Sequence, residues 1–197
     1  MTARTIDVPA LAAALDDSGA AANANAPDGD VQAAVLVPVL AGLDGEATLV
    51  LTRRHADMRR HAGEISFPGG RRDDGDATLI DTALREAHEE IGLSPARVEI
   101  AGALPATSTF VTRYAIQPFV GLVSGTASWT RSPLEVAEIL ELPLGELARS
   151  RTEIELTRRG FTFQTGAYVI ADLTIWGATA RIVDELLRRI APLIDVG

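Results

Sequence analysis

Residues 69–93 read Gly-Gly-Arg-Arg-Asp-Asp-Gly-Asp-Ala-Thr-Leu-Ile-Asp-Thr-Ala-Leu-Arg-Glu-Ala-His-Glu-Glu-Ile-Gly-Leu. The paired glycines predict a tight turn. A helix is predicted from about Ala77 to Ile91, with Asp76 as its N-cap, Gly92 as its C-terminal stop and Pro95 just beyond. At about 100° per residue, Glu86, Glu89 and Glu90 fall within roughly a 100° arc. Ile80, Leu84, Ala87 and Ile91 lie on a different arc and are expected to face the core. Like charges one turn apart repel. A divalent cation removes that conflict, and carboxylate oxygens are the ligands Mg²⁺ and Mn²⁺ prefer. Arg85, one turn before Glu89, is placed to orient it, and Asp81, one turn before Arg85, to hold the arginine. Acid-rich helix faces are commonly just solvated, so the weight rests on context: a Gly-Gly turn at fixed distance before the helix and Gly92 directly after the acids.

Outward from this segment, strands dominate. Val31 to Leu40 and Ala47 to Thr52 are apolar, β-branched runs separated by Gly42, Asp44 and Gly45, which predicts two strands joined by a turn. Residues 53–76 are mostly loop, with a short strand at Glu64 to Phe67. Val98 to Leu104 and Ile116 to Val123 are predicted strands, Leu134 to Leu140 a short acidic helix, and Phe161 to Thr165 with Tyr168 to Leu173 a hairpin around Gly166. A terminal helix runs from about Trp176 to Ile190, its apolar stripe being Ala178, Ile182, Leu186 and Ile190. The expected class is α/β in the α+β sense, a mixed sheet held between helices. Residues 1–28 read as an N-terminal extension and linker, with a short helix at Ile6 to Leu15, and 29–197 as the domain. Trp129, Phe161 and Trp176 are expected in the core, with Tyr168 either there or at the site, and His88 exposed or packing.

Composition narrows the function classes. The net charge of −9 argues against a general nucleic-acid binder. The chain has no cysteine, which excludes thiolate metal sites and a cysteine nucleophile. It has no lysine, so phosphate must be held by arginine, backbone N–H groups or metal. Six arginines fall between Arg53 and Arg72, beside the acidic segment. Neither a transmembrane run nor a secretory signal is expected from this sequence, and a cytoplasmic protein is the expectation.

The segment from Gly70 to Leu93 resembles the Nudix box, G-x5-E-x7-R-E-U-x-E-E-x-G-U with U aliphatic: Arg85, Glu86, Ala87, Glu89, Glu90, Gly92 and Leu93 match its second half. In the first half Gly70 matches, but Asp76 stands for the glutamate and eight residues, not seven, separate it from Arg85. The coenzyme A pyrophosphatase branch shows the same insertion and aspartate. It also carries an upstream signature, L-L-T-x-R-S-x3-R-x3-G-x3-F-P-G-G, which Val50, Leu51, Thr52, Arg54, His55, Arg59, Gly63, Phe67, Pro68, Gly69 and Gly70 follow except at Val50 and His55. The resemblance spans about Val31 to Ile190.

The resemblance implies a metal-dependent hydrolase that splits a diphosphate bond, in coenzyme A giving adenosine 3′,5′-bisphosphate and 4′-phosphopantetheine. Glu86, Glu89, Glu90 and the Gly69 carbonyl would ligate Mg²⁺ or Mn²⁺, and Arg85 would position a carboxylate. The base would be one of the box glutamates or Glu135, itself equally readable as a helix N-terminal acid. Glu64 is a further candidate for the metal sphere. Arg54 and Arg59 would grip substrate phosphates beside Gly70, and Arg59→Ala is expected to impair use of coenzyme A more than of its 3′-dephospho form. ADP-ribose, NADH or nucleoside triphosphates are alternative substrates, and a nucleotide-binding module without turnover is a third reading. A homodimer is possible, with no nucleic-acid or membrane partner.

Overall fold

The computed structural model describes residues 8–15, 31–41, 47–56, 63–108, 114–125, 128–158 and 160–193. Its main sheet is built from β1 (Val31–Ala41), β2 (Ala47–Arg54), β3 (Ile65–Ser66), β4 (Gly69–Arg71), β5 (Val98–Ala103), β6 (Thr107–Ser108), β7 (Tyr114–Val123) and β8 (Val136–Pro143). β1 runs parallel to β7 and antiparallel to β2, so the sheet is mixed, as expected.

The sheet forks at its centre. β1 and β2 pair only from Val39 to Ala41 against Ala47 to Leu49. Beyond that point β3 pairs with β2 and β4 with β1, both antiparallel. β8 occupies the other edge of β2, and β7 the other edge of β1, so β3 and β4 lie inside the fork. The Phe67-Pro68 turn that joins them is anchored by Leu36 N–H donating to the Pro68 carbonyl at 2.9 Å.

Alternating side chains of the central strands feed two apolar layers. Ala34, Leu36, Leu40 and Val50 face α2 (Leu79–Ile91), where they meet Leu79, Ala83, Ala87 and Ile91. Val37, Val39, Leu49 and Leu51 face the opposite side, with α1 (Val8–Leu15) and α4 (Gly177–Ile190). A short helix, α3 (Leu144–Arg149), follows β8. A second sheet of β9 (Arg151–Arg158), β10 (Phe161–Ile170) and β11 (Leu173–Trp176) stands in the order β11-β10-β9 and meets the first through β11 and β3. Among the described residues no helix is long and apolar enough to cross a membrane.

Several sequence expectations are corrected. Residues 136–143 form an edge strand where a helix over Leu134 to Leu140 was expected; pairing with β2 along its length overrides the acidic, helix-like composition. The expected hairpin around Gly166 is one continuous strand, β10, whose turns lie on either side of it. Phe161, expected in the core, is 75 % exposed because β10 runs out beyond its support. The N-cap of α2 is Thr78, in a reciprocal box with Asp81, and Asp76 has another partner.

α1 belongs to the packed body. Leu11 and Leu15 are almost wholly buried, and Arg189 of α4 donates to the Leu15 carbonyl at 3.1 Å. Leu15→Ala is therefore expected to cost about 2–5 kcal/mol, as other large-to-small core changes do. Urea unfolding checks this; a change within about 0.5 kcal/mol, the range of surface substitutions, would mean that α1 is not docked.

Candidate active site

The acids of α2 do not share one environment. The side chains of Glu89, Glu86 and Glu90 are 57 %, 16 % and 3 % exposed, a descent from solvent to interior. Helical spacing puts them on neighbouring arcs, but the β3–β4 turn covers only the inner part of that surface. Gly69 N–H donates to Glu90 Oε2 at 3.4 Å. A side chain at Gly69 would collide with the Ala34 carbonyl and Val35, and one at Gly70 with the Glu86 carboxyl. The two glycines let the turn lie directly on the acids.

Arg85 organises the outer two. It donates to Glu86 Oε1 at 3.0 Å and to Glu89 Oε2 at 3.1 Å. Its other nitrogens form a fork on Asp76, Nε to Oδ1 and Nη2 to Oδ2, both at 3.0 Å. Asp76 is buried and also accepts from Thr82 Oγ1 and Asp73 N–H, each at 2.9 Å. The Arg85 guanidinium hydrogen-bonded to it holds the Asp76 carboxyl well below the usual carboxylate range. Asp76, not Asp81, is thus the residue that fixes Arg85. Asp81 closes the helix-capping box with Thr78 instead.

Glu90 is the electrostatic centre. Burial pushes its carboxyl up to about 8; Glu86 and Glu135 add to the rise, while Arg54 and the Gly69 N–H oppose it. Arg54 Nη1 lies 3.5 Å from Glu90 Oε1. Burial also raises Glu86, against the pull of Arg85. Among the described residues these acids are not already closed into a metal-binding group of three or more. Their chemistry nevertheless fits a divalent cation: half-buried and buried carboxylates whose charges raise one another's pKa gain most from a positive ion between them.

Glu135 joins this cluster from a different part of the chain. Thr130 N–H donates to the Ile91 carbonyl and Ser132 N–H to the Glu90 carbonyl, both at 2.9 Å, so residues 128–135 wrap the C-terminal end of α2. His55 N–H then donates to the Glu135 carbonyl at 2.9 Å, joining the segment to the end of β2. Glu135 is a turn residue ahead of β8, not a helix N-terminal acid. Its charge reaches both Glu86 and Glu90.

The remaining sequence candidates sort as follows. Arg54 faces Glu90. Glu64 pairs with Arg158 at 3.3 Å. Arg59 lies outside the described residues. His88 is exposed. Tyr168 belongs to the core and donates to Asp184 at 2.5 Å. Asp76 is the site residue that sequence reasoning placed in the wrong role; its deviation from the box spacing was the available signal.

A family model described as the NUDIX domain matches residues 30–162. A relative from Cronobacter sakazakii, named uncharacterized Nudix hydrolase NudL, is 40% identical over 161 residues, 81% of this chain and 82% of that protein. One of the same name from Escherichia coli O1:K1 / APEC is 38% identical over 162 residues, again 81% and 82%. Among solved structures, the Nudix hydrolase RenU from M. smegmatis superposes with a TM-score of 0.60 at 18% identity, covering 85% of this chain and 89% of that one. The NUDIX domain of Shewanella oneidensis NrtR, solved with ADP ribose, superposes with 0.58 at 14% identity, covering 89% and 97%. At such identities the structural likenesses bear on the fold alone. With the family model covering most of the chain, and the curated relatives most of it at about two-fifths identity, the chain belongs to the Nudix hydrolase family and is a pyrophosphohydrolase.

Proposed function

We propose that this protein hydrolyses the diphosphate bond of coenzyme A or a derivative of it, giving adenosine 3′,5′-bisphosphate and 4′-phosphopantetheine or its acyl form. The observation that carries the chemistry is the gathering of Glu86 and Glu90 against the β3–β4 turn, with the charge of Glu135 reaching both and Arg85 fixed by Asp76. The upstream signature from Val50 to Gly70 supports coenzyme A as the substrate.

Nudix hydrolases generally use divalent metals such as Mg²⁺ or Mn²⁺. Glu86, Glu89, Glu90 and the Gly69 carbonyl are the groups proposed to hold the ion. When bound, it offsets the charge of the phosphate oxygens and makes water acidic enough to serve as a nucleophile near neutral pH. The protein's own groups do the rest. Arg85 keeps Glu86 and Glu89 oriented without touching substrate. Arg54 and Arg59 grip substrate phosphates, for which the guanidinium fork is suited. Glu135, exposed and tethered beside Glu86 and Glu90, is the proposed acceptor of the water proton. Water attacks one phosphorus, the bridging oxygen leaves with the other, and each product keeps one phosphate of the split diphosphate, the nucleotide keeping its 3′-phosphate as well. A cytoplasmic location suits this substrate.

Mass-spectrometric analysis of products after incubation with coenzyme A and Mg²⁺ or Mn²⁺ tests the reading directly. Adenosine 3′,5′-bisphosphate and 4′-phosphopantetheine are expected; turnover of ADP-ribose, NADH or nucleoside triphosphates without coenzyme A would overturn the substrate. Glu89→Gln is expected to lower kcat by about 100-fold or more, in the range of lost acid–base or charge-stabilising groups. Full activity in that variant would remove the catalytic role of the helix acids.

The pKa of Glu90 gives a prediction without substrate. Between the ordinary carboxyl value of 4.5 and about 8, the folded protein retains a proton that the unfolded chain has released. This group's contribution to stability is therefore complete below about 4.5 and declines as pH rises to about 8. Glu90→Gln removes the decline. In EDTA, its melting temperature should gain on the wild type progressively over that window and no further above it. A difference independent of pH would show that Glu90 is not a buried, proton-binding carboxyl.

A further inference from the structure

The β9–β10 ribbon is bent back toward the site, and the side chain at its tip is a cation. Arg158 pairs in register with Phe161, and Trp176 with Ala167. Phe161 and Ala167 are six residues apart on β10, about 20 Å at roughly 3.3 Å per residue. A flat sheet would keep Arg158 and Trp176 far beyond the reach of one side chain. Yet the Arg158 guanidinium carbon lies 5.1 Å from the centre of the Trp176 ring, and Nη2 lies 3.3 Å from Glu64 Oε1. The ribbon therefore curls, delivering Arg158 to the strand fork.

Arg158 arrives close to the chemistry. The Glu64 carbonyl accepts from Arg54 N–H at 3.0 Å, and the Arg54 guanidinium meets Glu90. Two residues thus separate Arg158 from the buried carboxylate. Among the described arginines near the fork, Arg85 is held by Asp76, Glu86 and Glu89, and Arg53 by Glu138 and Asp172, while Arg54, proposed above to grip the scissile diphosphate, faces Glu90. Arg158 is the more exposed cation, at 50 % against 28 % for Arg53 and Arg85 and 22 % for Arg54. A pair with so exposed a cation is weak, and a phosphate dianion offers a guanidinium fork more than a single carboxylate oxygen does. The Trp176 ring beside it favours a cation at this place.

We propose that Arg158 is a specificity residue for a phosphomonoester outside the scissile diphosphate, exchanging Glu64 for the 3′-phosphate that distinguishes coenzyme A from its dephospho form. This rests on the coenzyme A reading above. The exchange is non-covalent, and Glu64 is released as Arg158 turns to the substrate.

Steady-state hydrolysis of coenzyme A and of 3′-dephospho-coenzyme A by wild type, Arg158→Ala and Arg158→Lys tests it. In Arg158→Ala, kcat/KM for coenzyme A is expected to fall about tenfold or more through KM, a loss on the scale of one charge-assisted contact. The value for the dephospho form should stay within about twofold, which also shows that the variant is folded. Arg158→Lys, with charge but no fork, should give an intermediate loss on coenzyme A alone. Equal losses on both substrates, or no loss on either, would overturn the role of Arg158. A wild type that cleaves neither substrate would instead overturn the coenzyme A reading, and this proposal with it.

Discussion

A carboxylate turned into the protein governs this structure. Glu90 lies on the inner side of α2, and its neighbours Ala87 and Ile91 are buried in the layer between helix and sheet. Desolvation dominates its energetics, outweighing the help of Arg54 and the Gly69 N–H. Much of the surrounding architecture serves that placement. The sheet splits where β1 and β2 part, β3 and β4 fill the gap, and the turn between them reaches α2 only because Gly69 and Gly70 have no side chains to obstruct it. A carboxylate that is costly to bury among other acids would become favourable with a cation shared between them.

Around that centre, orientation is set by Arg85 and Asp76. An arginine between two carboxylates on its own helix would follow them as they move. Its second fork, on a buried aspartate outside the helix, pins it to the loop before α2. Asp76 is in turn fixed by Thr82 and the Asp73 N–H. The extra residue between Asp76 and Arg85 relative to the family box is taken up in the loop and first turn, where Thr78 and Asp81 cap the helix. The shorter acid at Asp76 still reaches Arg85 with both oxygens.

Strong periodicity made much of the fold legible. Val31 to Leu40 and Ala47 to Thr52 needed no tertiary information to be read as strands, and Gly92 ended α2 as its sequence indicates. β8 was obscured because Val-Ala-Glu-Ile-Leu-Glu-Leu is compatible with a short helix; its alternation shows only once Val136, Leu140 and Leu142 are seen buried beneath β2's side of the sheet. Phe161 misled because an aromatic side chain carries no sign of whether its strand is supported. At the site, the helical wheel gave the angles of Glu86, Glu89 and Glu90 but not their depths, which depend on what packs over them. Asp81 and Asp76 were both in reach of Arg85 by spacing, and only the capping box, which occupies Asp81, separates them.

The direct test of this account is cation uptake by the protein alone. Mn²⁺ titration followed by electron paramagnetic resonance, on wild type and Glu86→Gln at pH 8, reports binding without substrate or turnover. Saturable uptake by the wild type, weakened at least about tenfold by loss of one charged ligand, is the predicted result. No uptake, or equal affinity in both proteins, would contradict the claim that the acids around Glu90 are arranged to hold a divalent ion.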